Sequence, residues 1–226
     1  MGRVFITGDT HGHLNIGKLS AKFFPVGREL TKRDYVIICG DFGLVFNNIQ
    51  TAQENYWLKW LNGRPWTTLF VDGNHENHPK LAQLENCVKF GKDVGKLSPS
   101  IYHLRRGRVY EIHGKNFLAY GGALSIDKDL REDGISWWKE EIPSTEEFQL
   151  ALTNSQQHKI DFIVAHTLPS VVQMLMGLGR FHDETAKQLD HITSTLEFDK
   201  YFCGHFHEDR SFDKYNILYN TVMEII

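Results

Sequence analysis

Five short runs rich in valine, isoleucine and phenylalanine stop abruptly at a glycine or a polar residue: RVFITGD (3–9), DYVIICGD (34–41), TTLFVDGN (67–74), DFIVAHT (161–167) and KYFCGH (200–205). Each is almost continuously apolar, the pattern of a strand covered on both faces rather than half-exposed. Helix-like stretches separate them, at 51–62, at 79–85 with proline in the first turn, at 144–158 and at 183–196. The region 88–120 reads differently. VKF, SIYHL, GRVYEIHG and KNFLAYGG are short, alternating and punctuated by glycine, which predicts antiparallel hairpins in a second sheet, and the tail SFDKYNILYNTVMEI has the same character. The expected fold is α/β: a four-layer α/β/β/α sandwich with two mixed β-sheets packed face to face and helices outside.

With 226 residues, 41% of them hydrophobic, the chain can bury one sizeable core, and nothing repeats or thins into a linker, so a single domain over 1–226 is expected. The 25 basic and 28 acidic side chains leave a net charge of -3, which removes the positive field that binds long nucleic acids non-specifically. No apolar run approaches membrane-spanning length, and the opening MGRVFITGD has neither region of an export signal. The 3 cysteines, Cys39, Cys87 and Cys203, show no CxxC spacing, and Cys39 and Cys203 read as small buried hydrophobes. A reducing cytoplasm is the expected location.

The residues able to do chemistry collect where the apolar runs stop. Asp9 and His11 are two apart, so on an extended segment their side chains leave the same face. His205 and His207 repeat that spacing around Phe206. Asp41 ends the second run, Asn74 and His75 the third, and His166 the fourth. Strand ends are where open α/β sheets bind ligands, because the loops there diverge. A mixed Asp, Asn and His set without thiolate suits divalent ions such as Mn, Fe or Zn. It offers too many ligands for one ion with open positions. Two ions about 3.5–4 Å apart, bridged by one carboxylate and a solvent hydroxide, would use them all and suit in-line displacement at phosphorus. Asp41, a single carboxylate on the middle of the three early runs, is the natural bridge.

Taken in order, Asp9-x-His11, Gly40-Asp41, Gly73-Asn74-His75-Glu76, Ala165-His166 and Gly204-His205-x-His207 resemble the calcineurin-like metallophosphoesterase superfamily nearly end to end. The resemblance implies a first metal held by Asp9, His11, Asp41 and His207, and a second held by Asp41, Asn74, His166 and His205. It implies the same four-layer sandwich. It also implies that His75 is no ligand but lies beside the leaving-group oxygen as a general acid, a task suited to an imidazole near neutral pH. The activity it implies is hydrolysis of a phosphate ester, by a phosphatase or phosphodiesterase, on a small phosphorylated substrate or phosphodiester.

The chain departs from the Ser/Thr phosphatase branch, which writes GDxVDRG and RGNHE. Leu44 stands where that branch has the aspartate that orients the histidine, and two phosphate-clamping arginines are missing. Asp72 would instead turn a carboxylate toward a phosphomonoester. The expected substrate is therefore a phosphodiester or a small activated ester; short oligonucleotides and cyclic nucleotides are compatible. Arg131, beyond the turn-permitting Gly121-Gly122, is the candidate replacement cation, against a plain exposed arginine. Arg105-Arg106-Gly107-Arg108 reads as a solvated basic turn. His13 and His78 read as rim residues, while His103, His113, His158, His182 and His191 read as packed or solvated. Trp137-Trp138 fits either a pocket wall or a core edge. The competing functions are a Ser/Thr-phosphatase-like monoesterase, disfavoured by the absent DRG, and a scaffold retaining the fold without catalysis, disfavoured by His75.

Overall fold

A computed structural model describes residues 2–179 and 183–226; His182 lies outside them. The strands are β1 (Val4–Thr7), β2 (Tyr35–Cys39), β3 (Thr67–Val71), β4 (Glu85–Lys89), β5 (Lys92–Ser98), β6 (Ile101–His103), β7 (Arg108–Ile112), β8 (Lys115–Tyr120), β9 (Phe162–Ala165), β10 (Lys200–Cys203), β11 (Arg210–Phe212), β12 (Tyr215–Ile217) and β13 (Met223–Glu224). The helices are α1 (Ala52–Asn62), α2 (His78–Ala82), α3 (Thr145–Gln157), α4 (Ser170–Leu175) and α5 (Glu184–Ser194). One sheet runs β13-β1-β2-β3-β6-β5-β4 and the other β11-β12-β10-β9-β8-β7. Both are mixed, with parallel centres (β1, β2, β3 and β6; β8, β9, β10 and β12) and antiparallel edges.

Alternation hidden inside the apolar runs sets the layers. Val4, Ile6, Ile37, Leu69 and Val71 turn inward to meet Tyr110, Phe117, Phe162, Val164 and Phe202 of the second sheet. Phe5, Val36, Ile38 and Phe70, one residue out of phase, pack outward on Leu58 and Leu61 of α1 and Leu81 of α2. Leu118, Tyr120, Ile163, Tyr201 and Cys203 do the same on the other side, against Ala151 of α3, Val172 of α4 and Leu189 and Ile192 of α5. Three apolar interlayers separate four layers, which is why these strands show no polar face.

The region 88–120 requires a correction. Its strands are divided between the sheets: β4, β5 and β6 extend the first, and only β7 and β8 join the second. The cause is β6, which pairs parallel with β3 from Thr68↔Ile101 to Phe70↔His103, after which the backbone at Leu104 bonds Phe70 and the chain crosses over. Alternation marks a hairpin but does not say which sheet edge it joins. Helix α2 is also shorter than the 79–85 reading, since Glu85 already opens β4. Helices α1, α3 and α5 start where capping chemistry puts them: Thr51 with Glu54 and Ser144 with Glu147 form capping boxes, and Asp183 accepts from the Thr185 amide. No helix among the described residues is long and apolar enough to cross a membrane.

Candidate metal centre

The seven candidate ligands all lie just past the carboxyl ends of parallel strands: Asp9 and His11 after β1, Asp41 after β2, Asn74 after β3, His166 after β9, and His205 and His207 after β10. The Asp9-x-His11 and His205-x-His207 pairs do not converge as extended segments, contrary to the sequence reading. β1 ends at Thr7 and β10 at Cys203, and His11, His205 and His207 adopt left-handed backbone, with φ of 42°, 69° and 53°. Asp41 does too, at 44°. Such conformations cost of order 1–3 kcal/mol at non-glycine residues and persist where surrounding contacts over-determine them. Those contacts are present. The Thr10 and His11 amides donate to the Asp41 carbonyl at 3.1 and 2.8 Å, and the Gly12 amide donates to that of Phe42. The His205 amide donates to the Asp9 carboxylate at 2.9 Å, and the His75 amide to Asp41 Oδ1 at 2.9 Å.

Two glycines allow this closeness. A Cβ on Gly204 would sit 1.8 Å from Asp9 Oδ1, and one on Gly73 would sit 2.1 Å from Asp41 Oδ1. Neither position admits any side chain.

The donor atoms form two groups that meet at Asp41. In one group, His11 Nε2 and His207 Nε2 are 2.9 Å apart, and Asp9 Oδ2 is 3.2 Å from His207 Nε2 and 3.7 Å from His11 Nε2. Asp41 Oδ2 completes it at 3.8 Å from His11 Nε2. Donor atoms of Asp9, His11, Asp41 and His207 all fall within 4.8 Å of one another. In the other group, Asn74 Oδ1 lies 3.0 Å from His166 Nε2 and 3.2 Å from His205 Nδ1, and Asp41 Oδ1 lies 3.4 Å from His166 Nε2.

Burial makes this arrangement demand positive charge. Asp9 is 0% exposed and Asp41 1%, and no lysine or arginine among the described residues pairs with either carboxylate. Lys18 instead donates to the Asp9, Gly8 and Tyr219 carbonyls, and its own burial holds it down at about 8. The imidazoles respond. Burial alone would lower His166, but Asp41 and Asp9 outweigh it and raise it. Burial would likewise raise Asp41, yet His166 holds it well below the usual carboxylate range. The hydrogen bond to Asp9 raises His207, whereas burial lowers His11 and pushes His205 down to about 4. Divalent cations would satisfy the same carboxylates and convert crowded ring nitrogens into ligands, so the donor set fits metal. The outer contacts are suited to it: His166 Nδ1 donates to the Cys39 carbonyl at 2.8 Å, which leaves Nε2 as the nitrogen that would coordinate an ion.

The remaining sequence readings sort as follows. His75 sits beside the cluster, its ring 5.5 Å from that of His11. Leu44 is core. Arg131 reaches His75, with Nη2 3.4 Å from Nε2, while Asp127 grips its guanidinium at 2.8 and 2.7 Å and the Ser136 carbonyl accepts at 3.1 Å. Asp72 does not turn toward a substrate. It is held by Arg106 and by His103 at 3.1 Å, and faces a separate cavity. Arg106 is accordingly buried rather than part of a solvated turn, and His78 is 7% exposed on the same network, not at the rim. Removing either partner would leave the other as an uncompensated buried charge. His103 stacks on Phe70, while His113 and His158 bond carbonyls at 2.9 Å. Trp138 covers core against Phe46. That separate cavity, about 490 Å³, contains none of the candidate ligands.

Sequence reasoning missed the support behind Asn74. Its Nδ2 donates to Ser125 Oγ at 3.0 Å, and Ser125 Oγ donates to buried Glu141 at 2.6 Å. Glu76, quoted only as part of a motif, accepts from the Phe42 amide at 2.6 Å and so fixes the loop after Asp41. Only the double glycine before Ser125 hinted at a special turn there.

No curated protein matches the chain. Residues 2–209 match the calcineurin-like phosphoesterase family, whose members hydrolyse phosphate esters at a dinuclear divalent metal centre, and the chain belongs to that family.

Proposed function

We propose that this protein is a metal-dependent phosphoesterase in which Asp9, His11, Asp41 and His207 hold one divalent ion and Asp41, Asn74, His166 and His205 the other, with Mn, Fe or Zn the metals of choice. The observation that carries the reading is Asp41. Its Oδ2 faces His11 and its Oδ1 faces His166, so one buried carboxylate serves both groups. Two ions there would activate water at neutral pH and offset charge on the phosphoryl oxygens.

The chain's own residues do the rest. Arg131, fixed by Asp127, presents a cation beside His75 where an anionic ester arrives. His75 supplies the proton that lets the leaving oxygen depart as an alcohol. Burial and then Arg131 lower His75, and an arriving anion opposes that effect. The three free thiols are compatible with a cytoplasmic location.

The test is metal content paired with turnover of p-nitrophenyl phosphate esters. The wild type is expected to bind two ions per chain and to lose activity on chelation, with Mn restoring it. Asp41→Asn should weaken both ions together and abolish turnover. Full activity after complete metal removal, or an Asp41→Asn protein that binds and turns over normally, overturns the assignment.

A further inference from the structure

Among the described residues, two clefts open beside the candidate centre, and His75 lines both. The larger, about 390 Å³, begins at Asp41, Asn74 and His205 and runs outward between Leu124, Ile126, Leu178 and Phe206. The smaller, about 260 Å³, begins at His11 on the other side and runs between Leu14, Phe46, Asn47 and Gln53. A cavity of about 150 Å³ accommodates a benzene ring, so each cleft takes a ring-sized group. A phosphomonoester bound between the ligand groups has one organic arm and fills one cleft. A diester has two arms, leaving phosphorus in different directions.

We infer that the substrate is a phosphodiester with a separate organic group on each ester oxygen, one seated in the Leu124–Ile126 cleft and the other in the Leu14–Phe46 cleft. The inference rests on the phosphoesterase reading above and specifies its substrate. Apolar side chains at both mouths favour groups with an apolar face, because each desolvates carbon surface on binding. Ile126 and Leu14 are 71% and 69% exposed, an arrangement that burial against a substrate would relieve. In the reaction, water adds its oxygen to phosphorus as the bond to one ester oxygen breaks. That oxygen leaves with a proton as an alcohol, and the other group stays on a phosphomonoester.

The experiment compares three esters sharing one leaving group on the Mn-loaded protein: p-nitrophenyl phosphate, methyl p-nitrophenyl phosphate and bis-p-nitrophenyl phosphate, each corrected for its uncatalysed hydrolysis. The expected kcat/KM for the bis ester exceeds that for the methyl ester by about tenfold or more, and exceeds that for the monoester. Two exposed positions are then filled, Ile126→Trp in the larger cleft and Leu14→Trp in the smaller. The variant that blocks the retained arm should collapse the bis-to-methyl ratio toward one. The variant that blocks the leaving arm should lower both diesters together. Equal rates for methyl and bis esters, a faster monoester, or two variants indistinguishable from wild type would each overturn the two-cleft assignment while leaving a phosphoesterase. Hydrolysis of none of the three by the metal-loaded protein would instead remove the phosphoesterase reading itself.

Discussion

Ser125 determines which end of the Asn74 amide faces the candidate centre. An amide offers one acceptor and two donors, and the Ser125 hydroxyl, itself committed to Glu141, takes the Nδ2 end and leaves Oδ1 for His166 and His205. Ser125→Ala should therefore keep the fold yet weaken metal binding by about 10–100-fold, measured by competitive titration with a fluorescent chelator. His75 makes the opposite prediction. It contacts the centre without belonging to either donor group, so His75→Ala should retain its metal while losing about 10²–10⁴ in rate on esters with poor leaving groups. A nitrophenolate needs no protonation, and its ester should be much less affected. Loss of metal in this variant would make His75 a ligand.

At the level of elements, the N-terminus of α1 does two things with one side chain. Glu54 completes the capping box by accepting from the Thr51 amide at 2.8 Å, while its other oxygen accepts from the Phe46 and Asn47 amides at 3.1 Å, holding the loop that walls the smaller cleft. Thr51→Ala is expected to cost about 1 kcal/mol, read as a lower urea midpoint at unchanged m. Elements of this kind are legible in sequence because their signals are local: a cap three residues from its glutamate, or an apolar run stopped by glycine. α4 was not legible, since its six residues expose Val171, Met174 and Leu175 and offer no amphipathic period. Nor was the sheet to which β4–β6 belong, because it is fixed by the pairing of β6 with β3 about thirty residues away. The candidate ligands were readable as residue types at strand ends, but the left-handed turns at His11, His205 and His207 were not. Non-glycine residues there carry no conformational label. The Arg131–His75 contact spans 56 positions and had only a charge and a double glycine to announce it.

For the molecule as a whole, the buried Asp72–Arg106 network ties the end of β3 to the segment that crosses between the sheets. His78 belongs to that network, and burial followed by Arg106 pushes it down to about 3. Its folded value lies below the 6.5 of an unfolded chain, so on acidification the unfolded state takes up a proton first. The resulting stability is complete above about pH 6.5 and is lost as pH falls toward about 3, by up to a few kcal/mol. Urea midpoints of wild type and His78→Gln at pH 7 and pH 5 isolate the effect: the wild type should lose more than the variant, and equal losses would place His78 in a solvated setting.

The division of the candidate ligands between sheets has a practical consequence. Asp9, His11, Asp41 and Asn74 follow strands of one sheet, and His166, His205 and His207 follow strands of the other, so each donor group draws on both. On the proposed assignment, neither sheet is a working half with the other as decoration. Fragments covering 1–104 and 105–226, the second carrying β13 of the first sheet, would each hold an incomplete set of candidate ligands, and recovery of turnover on mixing them would report reassembly of the sandwich in correct alignment. On the proposed assignment, turnover would act as a proofreader of folding, silent until both halves have met in register.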